Sequence, residues 1–555
     1  MGRPFMNRLA VTYTGALLML ALGCKDLNLG PKDQVSDASF WKNPDQFRLA
    51  ANDFYFALRG AHNYTEINSD IATGSGSTEM SSVSNGSYLP AANSDLWNNA
   101  YAGIRATNYL LDKAAQSGLG PQIDRWVGEA LFFRAYHYWN LVKTYGGVPL
   151  ITTVLDVTSP EVYTPRATQQ AVIDLIIADL DNAVPKLLKQ SELSGDEMGR
   201  VTQGAALALK ARAGLYQGTW RKYHAEGDPA AMLTAAINAA EQLITSNEYD
   251  LYTDHGTDSS YKFLFILQGD DSKEVILARR YYAGRATHNW TRELWFNYMI
   301  PTKTLADLYL ATDGLPIATS PLFKGYDSLT SEFQNRDPRM AMTFVVPGSD
   351  VFQESGFQPV FPGFSGSNAT RTGYMLRKFL DETVEATQFA GQYDFKEFRY
   401  GEVLLILAEA LYERDGLISD ADLARTIGLL RARVGMPALT NGFVTSNALN
   451  VLTEIRRERT AELAFEGFRR DDLRRWKTAE TEMPQALRGV KFVGTEYQQR
   501  YPTLVIGTDI QVDANGFIVS EAAVSRQFLP KHYLDPIPLQ QIQLSHGTLT
   551  QNPGW

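Results

Sequence analysis

The sequence lacks the residue patterns by which disulfide scaffolds, metal sites and nucleophilic enzymes are usually recognised. Its 555 residues include one cysteine, Cys24, so neither a disulfide framework nor a thiolate metal site can be built. The seven histidines show no HExxH or other ligand spacing, and no GxSxG nucleophile motif is present. We therefore expect no metal, no cofactor and no catalytic activity.

An excess of positive charge is also missing. The chain has 52 lysines and arginines against 62 aspartates and glutamates, which gives a formal net charge of −10, and it contains no basic block. Because nucleic-acid binding relies on neutralising phosphates, we expect no nucleic-acid partner.

The apolar run from Leu9 to Leu22 is too short and too close to the terminus to favour a transmembrane helix.

The first two dozen residues instead have the pattern of a secretion signal. Arg3 and Arg8 precede the apolar run, which is followed by Gly23 and Cys24. This order predicts a signal peptide over residues 1–23. The sequence LALGC resembles a bacterial lipobox, in which the cysteine becomes the lipidated first residue. We therefore predict that acyl chains on Cys24 hold the protein on a membrane, at about 0.8 kcal/mol for each buried methylene.

Aromatic residues are abundant, at 11% of the chain, and many of them fall in one stretch. Trp126 to Leu150 reads WVGEALFFRAYHYWNLVKTYGGVPL, and at helical spacing its apolar residues cover nearly the whole circumference. Such a helix packs on several sides, so we place it at the centre of a helical protein. Gly146-Gly147 and Pro149 predict an abrupt end to this helix.

Other segments also have helical periodicity. Thr168 to Leu187, the Ala- and Gly-rich segment after Thr202 and the segment after Asp228-Pro229 follow one another at intervals of roughly 35 residues, a spacing typical of tetratricopeptide-like stacking. Phe398 to Leu411 predicts an apolar helix. Val451 to Trp476 predicts a helix whose acids and bases, three and four residues apart, form ion pairs along its surface.

Three segments differ from this helical pattern. Residues 62–95 are rich in Gly, Ser, Asn and Asp, and Ser349 to Arg371 is rich in Gly, Ser and Phe, so we expect exposed loops. Tyr374 to Leu380, YMLRKFL, predicts a strand.

Several motifs together are similar to those of the SusD/RagB family of nutrient-binding lipoproteins. They occur in the family's order: W-x-x-x-Y-x-x-I-x-x-x-N from Trp97, RAYHYWNLVKTYGGVPL from Arg134, PTKTLADLYLATDGLPI from Pro301, ELAFEGFRRDDLRRW from Glu462, and the final QNPGW. The resemblance implies a mainly α protein, a tetratricopeptide-like helical superstructure with long irregular loops and a few short strands. It also implies an N-terminal SusD-like helical region over 24–258 and a C-terminal SusD/RagB region over 259–555.

The resemblance further implies a lipoprotein anchored in the cell outer membrane and facing the exterior. It would bind a nutrient, for which we favour an oligo- or polysaccharide, and deliver it to a SusC-like TonB-dependent transporter. A peptide ligand is an alternative within the family, and a tetratricopeptide-type scaffold is a third reading. A glycoside hydrolase would need two free carboxylates. Those of Val451 to Trp476 each lie near an arginine, which lowers the carboxyl pKa and favours structural pairing.

Candidate ligand-binding residues come from the aromatic run between Arg279 and Trp295 and from the end of the loop that precedes Trp97. Flat aromatic rings stack on the apolar faces of sugars, and neighbouring arginines can bind hydroxyl groups and stack on aromatic rings. We name Trp97, Tyr281, Tyr282 and Trp290, and we expect the ligand between this run and the loop before Trp97. The alternative is that these rings are buried in the helical body, where large apolar residues usually lie.

Overall fold

The computed structural model of the chain describes residues 37, 39–75, 81–353, 355–366, 369–382 and 389–555. The predicted signal peptide and Cys24 lie outside these residues. Among the described residues, none of the helices is both long and apolar enough to cross a membrane.

Helices dominate the fold, as the sequence predicted. In chain order the α-helices are α1 Pro44–Asn52, α2 Ser82–Asn85, α3 Asp95–Ser117, α4 Asp124–Tyr145, α5 Gln169–Ala183, α6 Gln203–His224, α7 Ala230–Thr245, α8 Ser260–Phe263, α9 Trp290–Trp295, α10 Lys303–Leu308, α11 Pro338–Thr343, α12 Tyr400–Asp415, α13 Asp420–Ala424, α14 Ile427–Arg433, α15 Asn441–Ser446, α16 Val451–Glu462, α17 Arg469–Arg475, α18 Ala479–Glu482, α19 Glu496–Arg500 and α20 Leu539–Leu544. Short 3-10 helices span Asp53–Ala57, Thr65–Asn68, Gly120–Ile123, Pro160–Tyr163, Val184–Lys186, Gln190–Glu192, Gly195–Glu197, Leu267–Gly269, Ser331–Phe333, Ala523–Ser525 and Pro530–Tyr533.

The strands are few and short. They are β1 Ala72–Gly74, β2 Val275–Arg279, β3 Met299–Pro301, β4 Ser349–Gln353, β5 Gly356–Val360, β6 Phe395–Arg399, β7 Leu487–Lys491 and β8 Phe517–Glu521. In the described residues they form separate antiparallel pairs, β1 with β3, β2 with β6, β4 with β5 and β7 with β8. β1 pairs Thr73 with Ile300, and β2 pairs Arg279 with Phe395. No large sheet is present among them, so helix packing supplies most of the core.

The helices from α3 to α7 pack each against the next, and α12 then packs on α6, α7 and α16. Their contacts form one apolar core. A second core brings together Ala61, Ile71 and Ala72 with residues of the C-terminal half such as Trp290 and Tyr374. The predicted central helix is α4, and Phe132, Phe133 and Tyr136 on it are almost fully buried. It ends at Gly146, whose φ of +73° is a conformation that glycine adopts without strain.

Close packing between α6 and α7 depends on two glycines. A Cβ added to Gly214 would lie 2.9 Å from the backbone oxygen of Met232 and from the backbone nitrogen of Ala236. A Cβ on Gly218 would lie 2.7 Å from the side chain of Leu233. The small residues of this Ala- and Gly-rich helix therefore let its backbone approach α7 closely.

Two predictions about the middle of the chain are wrong. Tyr374 to Leu380 forms no strand: Leu376 makes an isolated bridge to Phe344, and the backbone N–H groups of Arg377 and Lys378 then both donate to the carbonyl of Thr343. Because both N–H groups donate to the same carbonyl, the β-pairing does not continue beyond the single bridge of Leu376 with Phe344. Ser349 to Arg371 is not all loop, because β4 and β5 form a hairpin in which Phe352 packs edge-on against Phe357.

The segment from Val451 to Trp476 is two helices, not one. The chain leaves helical geometry between α16 and α17, where Phe465 and Gly467 have φ angles of +65° and +86°. Pairs three residues apart do exist, such as Arg475 with Asp472. The carboxylate of Glu462, however, pairs with arginines of other elements. The charges of this segment therefore join helices and strands to one another.

Replacing Gly214 with valine should destabilise the protein, because the new side chain must push α7 away from α6. We expect the free energy of unfolding to fall by about 1–3 kcal/mol, the usual effect of overpacking. Urea denaturation followed by circular dichroism measures it. Gly195→Val is the control, since a Cβ there meets nothing within 4 Å. Equal stability of the two variants would contradict the close packing.

Candidate functional site

Tyr281 comes two residues after β2 and faces inward. Its hydroxyl accepts a hydrogen bond from the backbone N–H of Ala61 at 3.1 Å, and its own backbone N–H donates to Asp394 at 2.8 Å. The ring meets the edge of His288 at 4.8 Å and is only 9% exposed. Tyr281 therefore positions the strand end and offers little ring surface to a ligand.

Trp290 is also buried, with 1% of its surface exposed. The ring of Tyr64 packs against it at 5.1 Å, and the hydroxyl of Tyr64 donates to Glu293. His62 Nδ1 lies 2.9 Å from the same carboxylate. Burial alone would raise the pKa of Glu293, but the hydrogen bonds from His62 and Tyr64 outweigh it and hold that pKa below its usual value. Trp290 thus packs beneath residues that reach the surface.

Tyr282 is the exposed member of the run. Its ring is 51% exposed, and a bridge to Ala286 closes the turn that carries it. A second bridge joins His288 to Gly391, and it brings Phe389, 58% exposed, beside Asn289, whose side-chain oxygen accepts the backbone N–H of Phe389. We use the name aromatic face for the exposed or partly exposed side chains of these two turns and of the adjoining N-terminal loop: His62, Tyr282, Arg285, Asn289 and Phe389.

A charged group holds Tyr282 in place. The guanidinium carbon of Arg280 lies 5.5 Å from the centre of the Tyr282 ring, and Arg280 Nη2 donates to the Tyr282 hydroxyl at 3.0 Å. Arg280 Nε in turn lies 2.8 Å from the buried carboxylate of Asp394. Burial and the neighbouring carboxylate of Asp270 raise the pKa of Asp394 to about 7 against the opposing effect of Arg280. The exposed ring is therefore anchored to the protein interior through an arginine.

Trp97 lies in a different part of the molecule. It is in the first turn of α3, where Ser94 Oγ accepts its backbone N–H at 3.3 Å, and it is 4% exposed. With Tyr101, Ile104 and residues of α20 it lines a cavity of about 450 Å³. Of the four predicted ligand-binding residues, the structure thus brings three together, exposes one of them, and places Trp97 at a separate cavity.

The carboxylates that suggested a hydrolase are bound in ion pairs. Glu462 lies 2.6 Å from Arg433, 2.8 Å from Arg399 and 2.9 Å from Arg339, and all four side chains are buried. Burial would raise the pKa of Glu462, but these three arginines hold it well below its usual value. The same balance lowers the pKa of Glu458 and Glu466. A carboxyl group held ionised in this way cannot donate the proton that glycoside cleavage needs.

Sequence reasoning missed Phe389, His62 and Asn289. Phe389 is a single large apolar residue among small and polar neighbours, and that pattern alone does not tell a surface ring from a core ring. His62 and Asn289 belong to no sequence motif. Tertiary packing brings His62 beside Trp290 and Asn289 beside Phe389.

In the described residues no group of three or more His, Cys, Asp and Glu side chains could hold a metal ion.

The sequence and its mainly helical fold are similar to those of known proteins. The profile of the SusD family matches residues 244–555, and a profile described as "Starch-binding associating with outer membrane" matches residues 46–215. Since the first covers more than half of the sequence, the chain belongs to the SusD family.

Individual relatives agree with this assignment. SusD-like protein P38 of Formosa agariphila is 25% identical over 301 residues, which is 50% of this chain and 54% of the relative, so the chain spans about half the length of that relative. A SusD-like carbohydrate-binding protein from Bacteroides fragilis has the same fold, with a TM-score of 0.76 at 22% identity over 92% of this chain and 99% of that chain. A laminarin-binding SusD-like protein gives a TM-score of 0.56 at 23% identity over 93% and 100%.

The Glu462→Gln variant should be much less stable than the wild type. The substitution leaves buried arginines without their carboxylate, and breaking such a pair typically costs about 3–5 kcal/mol. Chemical denaturation monitored by tryptophan fluorescence gives the free energy of unfolding. Glu161→Gln, at an exposed position, is the matched control. If both variants unfolded like the wild type, the charges around Glu462 would not stabilise the fold.

Proposed function

We propose that this protein captures a nutrient glycan, an oligo- or polysaccharide, at the aromatic face and delivers it to a SusC-like TonB-dependent transporter in the outer membrane. Membership of the SusD family supports the general role. The proposal that the ligand is a glycan rests on the chemistry of the aromatic face.

The observation that carries the proposal is the exposed, anchored ring of Tyr282. A ring half open to solvent normally moves, but here Arg280 holds it by a hydrogen bond and by cation–π contact. A ring fixed in advance loses little conformational freedom when a sugar stacks on it. In this proposal His62, Arg285 and Asn289 of the aromatic face supply hydrogen-bonding groups for hydroxyls, and Phe389 supplies a second ring. No sugar stacks on Trp97, Tyr281 or Trp290, because their rings are buried. Their role is to pack against neighbouring residues and hold them in position.

In this proposal the protein binds its ligand without reacting with it. Three carboxylates in or between α16 and α17, those of Glu458, Glu466 and Asp472, are paired with arginines. The two solved structures named above are described as binding proteins. A peptide ligand would use the same exposed rings, so binding experiments must include peptides as competitors.

The proposal also covers the anchor and the organisation of the chain. Residues 1–23 are a signal peptide, Cys24 carries the lipid, and the residues after it tether the body to the outer surface of the outer membrane. The helical region over 24–258 and the region over 259–555 then act as one binding unit, since α12 of the second packs on α6 and α7 of the first.

The first test removes the exposed ring. Tyr282→Ala should weaken binding to the retained glycan by about 1–3 kcal/mol, by analogy with the loss of one aromatic stacking platform from a nucleic-acid site. The full chain, purified in a sugar-free detergent, is examined by affinity electrophoresis on a panel of polysaccharides and then by calorimetry. Tyr163→Ala is the control, because Tyr163 is exposed to a similar degree on another part of the surface.

Unchanged binding of both Tyr282→Ala and Phe389→Ala would show that the glycan does not stack on the aromatic face. Sugar released from the polysaccharide by the wild-type chain would contradict the non-enzymatic role. Displacement of the glycan by a peptide at lower concentration would favour a peptide ligand.

The second test concerns the anchor. Cys24→Ala should abolish incorporation of radiolabelled palmitate and shift the protein from the membrane fraction to the soluble fraction, because no acyl chain remains to be buried in the bilayer. Ser39→Ala is processed like the wild type and serves as control. A Cys24→Ala protein that stays with the membrane would mean that another segment holds it there.

A further inference from the structure

A cleft of about 280 Å³ lies beside the aromatic face, on the side of the N-terminal helices. Three segments form it: residues 190–199 before α6, residues 247–249 after α7, and residues 270–280 around β2. Its lining combines apolar residues, such as Met198 and Leu277, with charged and hydrogen-bonding ones: Ser191, Glu248, Asp271, Lys273 and Arg280. This mixture suits a sugar, which has apolar C–H faces as well as hydroxyl groups.

Arg280 joins this cleft to the aromatic face. One guanidinium group donates to the Tyr282 hydroxyl at 3.0 Å and reaches Asp271 Oδ1 from both terminal nitrogens at 3.3 Å. Tyr282 lies outside the cleft, whereas Asp271 lines it. A ligand stacked on Tyr282 therefore has a polar site within reach on the far side of the same arginine.

Gly199 allows this arrangement. It has a φ of +93°, and an added Cβ would lie 2.9 Å from Cγ of Arg280. The aliphatic stem of Arg280 thus packs directly on the backbone of the 190–199 segment. This contact closes one wall of the cleft and fixes the direction of the guanidinium group.

The balance of charges indicates the class of ligand. The carboxylates of Glu248 and Asp271 accept hydrogen bonds, and the cations of Lys273 and Arg280 donate them. Glu248 already accepts from the backbone and side chain of Ser191 at 2.8 and 2.9 Å, but a carboxylate has further lone pairs. Sugar hydroxyls donate and accept at once. An acidic sugar would face the carboxylates of Glu248 and Asp271, and Arg280 is already paired with Asp271 and Asp394.

We infer that this cleft is a second sugar subsite, which binds a neutral pyranose unit of the same glycan that stacks on Tyr282. This inference rests on the proposed function and names the class of sugar and the residues that read it. Asp271 and Arg280 bind its hydroxyls, and Arg280 couples the two subsites by holding Tyr282 from the same guanidinium group.

Two variants test the subsite in the full chain, purified in a sugar-free detergent. Asp271→Ala removes an acceptor from a side chain that is 81% exposed, so folding is not at risk. Arg280→Lys keeps a cation beside Asp394 but loses the planar fork that contacts Tyr282 and Asp271 together. Asp112→Ala, an exposed aspartate on α3, is the matched control.

The probes are neutral polysaccharides, including starch, laminarin and galactomannan, and the acidic polysaccharides alginate and polygalacturonate. We expect the wild type to retain a neutral polysaccharide. Each cleft variant should bind it about tenfold more weakly, the effect of one lost hydrogen bond to a charged group. Asp112→Ala should bind it unchanged.

The remaining outcomes contradict the inference in distinguishable ways. Wild-type binding by both cleft variants, with binding lost in Tyr282→Ala, would overturn the second subsite and leave the proposed function standing. Retention of acidic polysaccharides alone would overturn the assignment to neutral sugars. Failure of the wild-type chain to bind any polysaccharide would overturn the proposed function and the subsite with it.

Discussion

A buried network of charges holds the elements of this protein in register. Glu462 at the end of α16 receives Arg433 from α14, Arg399 from the end of β6 and Arg339 from α11, all within 3 Å. Such groups are costly to bury unless every one is paired, so the network tolerates only the arrangement in which all partners meet. Arg212 of α6 extends the pairing to Glu397 and Glu402, and thereby ties the N-terminal helices to β6 and α12. The strands that support the aromatic face depend on this arrangement, since β6 pairs with β2 and β2 leads directly into Tyr281 and Tyr282.

Periodicity predicted the helical half of the fold well because each helix there has a continuous apolar surface. The central helix α4 and the close approach of α6 and α7 follow from residues such as Phe132 and Gly214, whose effect is local. The wrong predictions concern segments whose structure is determined by contacts with residues distant in the sequence. Tyr374 to Leu380 has the composition of a strand, but Thr343 captures its backbone donors, and Lys378 turns inward to Glu466. Val451 to Trp476 has the charge pattern of one helix, but its arginines and glutamates serve partners elsewhere in the chain.

The candidate site was predictable only as a region. The crowding of aromatic residues between Arg279 and Trp295 is visible in the sequence, and the exposed ring on which the proposal rests, Tyr282, belongs to that run. Which ring reaches solvent is a tertiary property: Tyr281 and Tyr282 are neighbours, and alternation along an extended segment buries one and exposes the other. Phe389 and His62 join the site from distant positions, and no spacing announces them. Trp97 was chosen for its residue type and its place after a loop, yet helix packing encloses it.

The central claim is that a glycan stacks on Tyr282. The measurement that tests it most directly is a crystal structure of the protein with the polysaccharide fragment it retains. The account predicts a sugar ring lying parallel to the exposed face of Tyr282, with its neighbour towards Asp271. A fragment bound in the cavity beside Trp97, with the ring of Tyr282 bare, would contradict it.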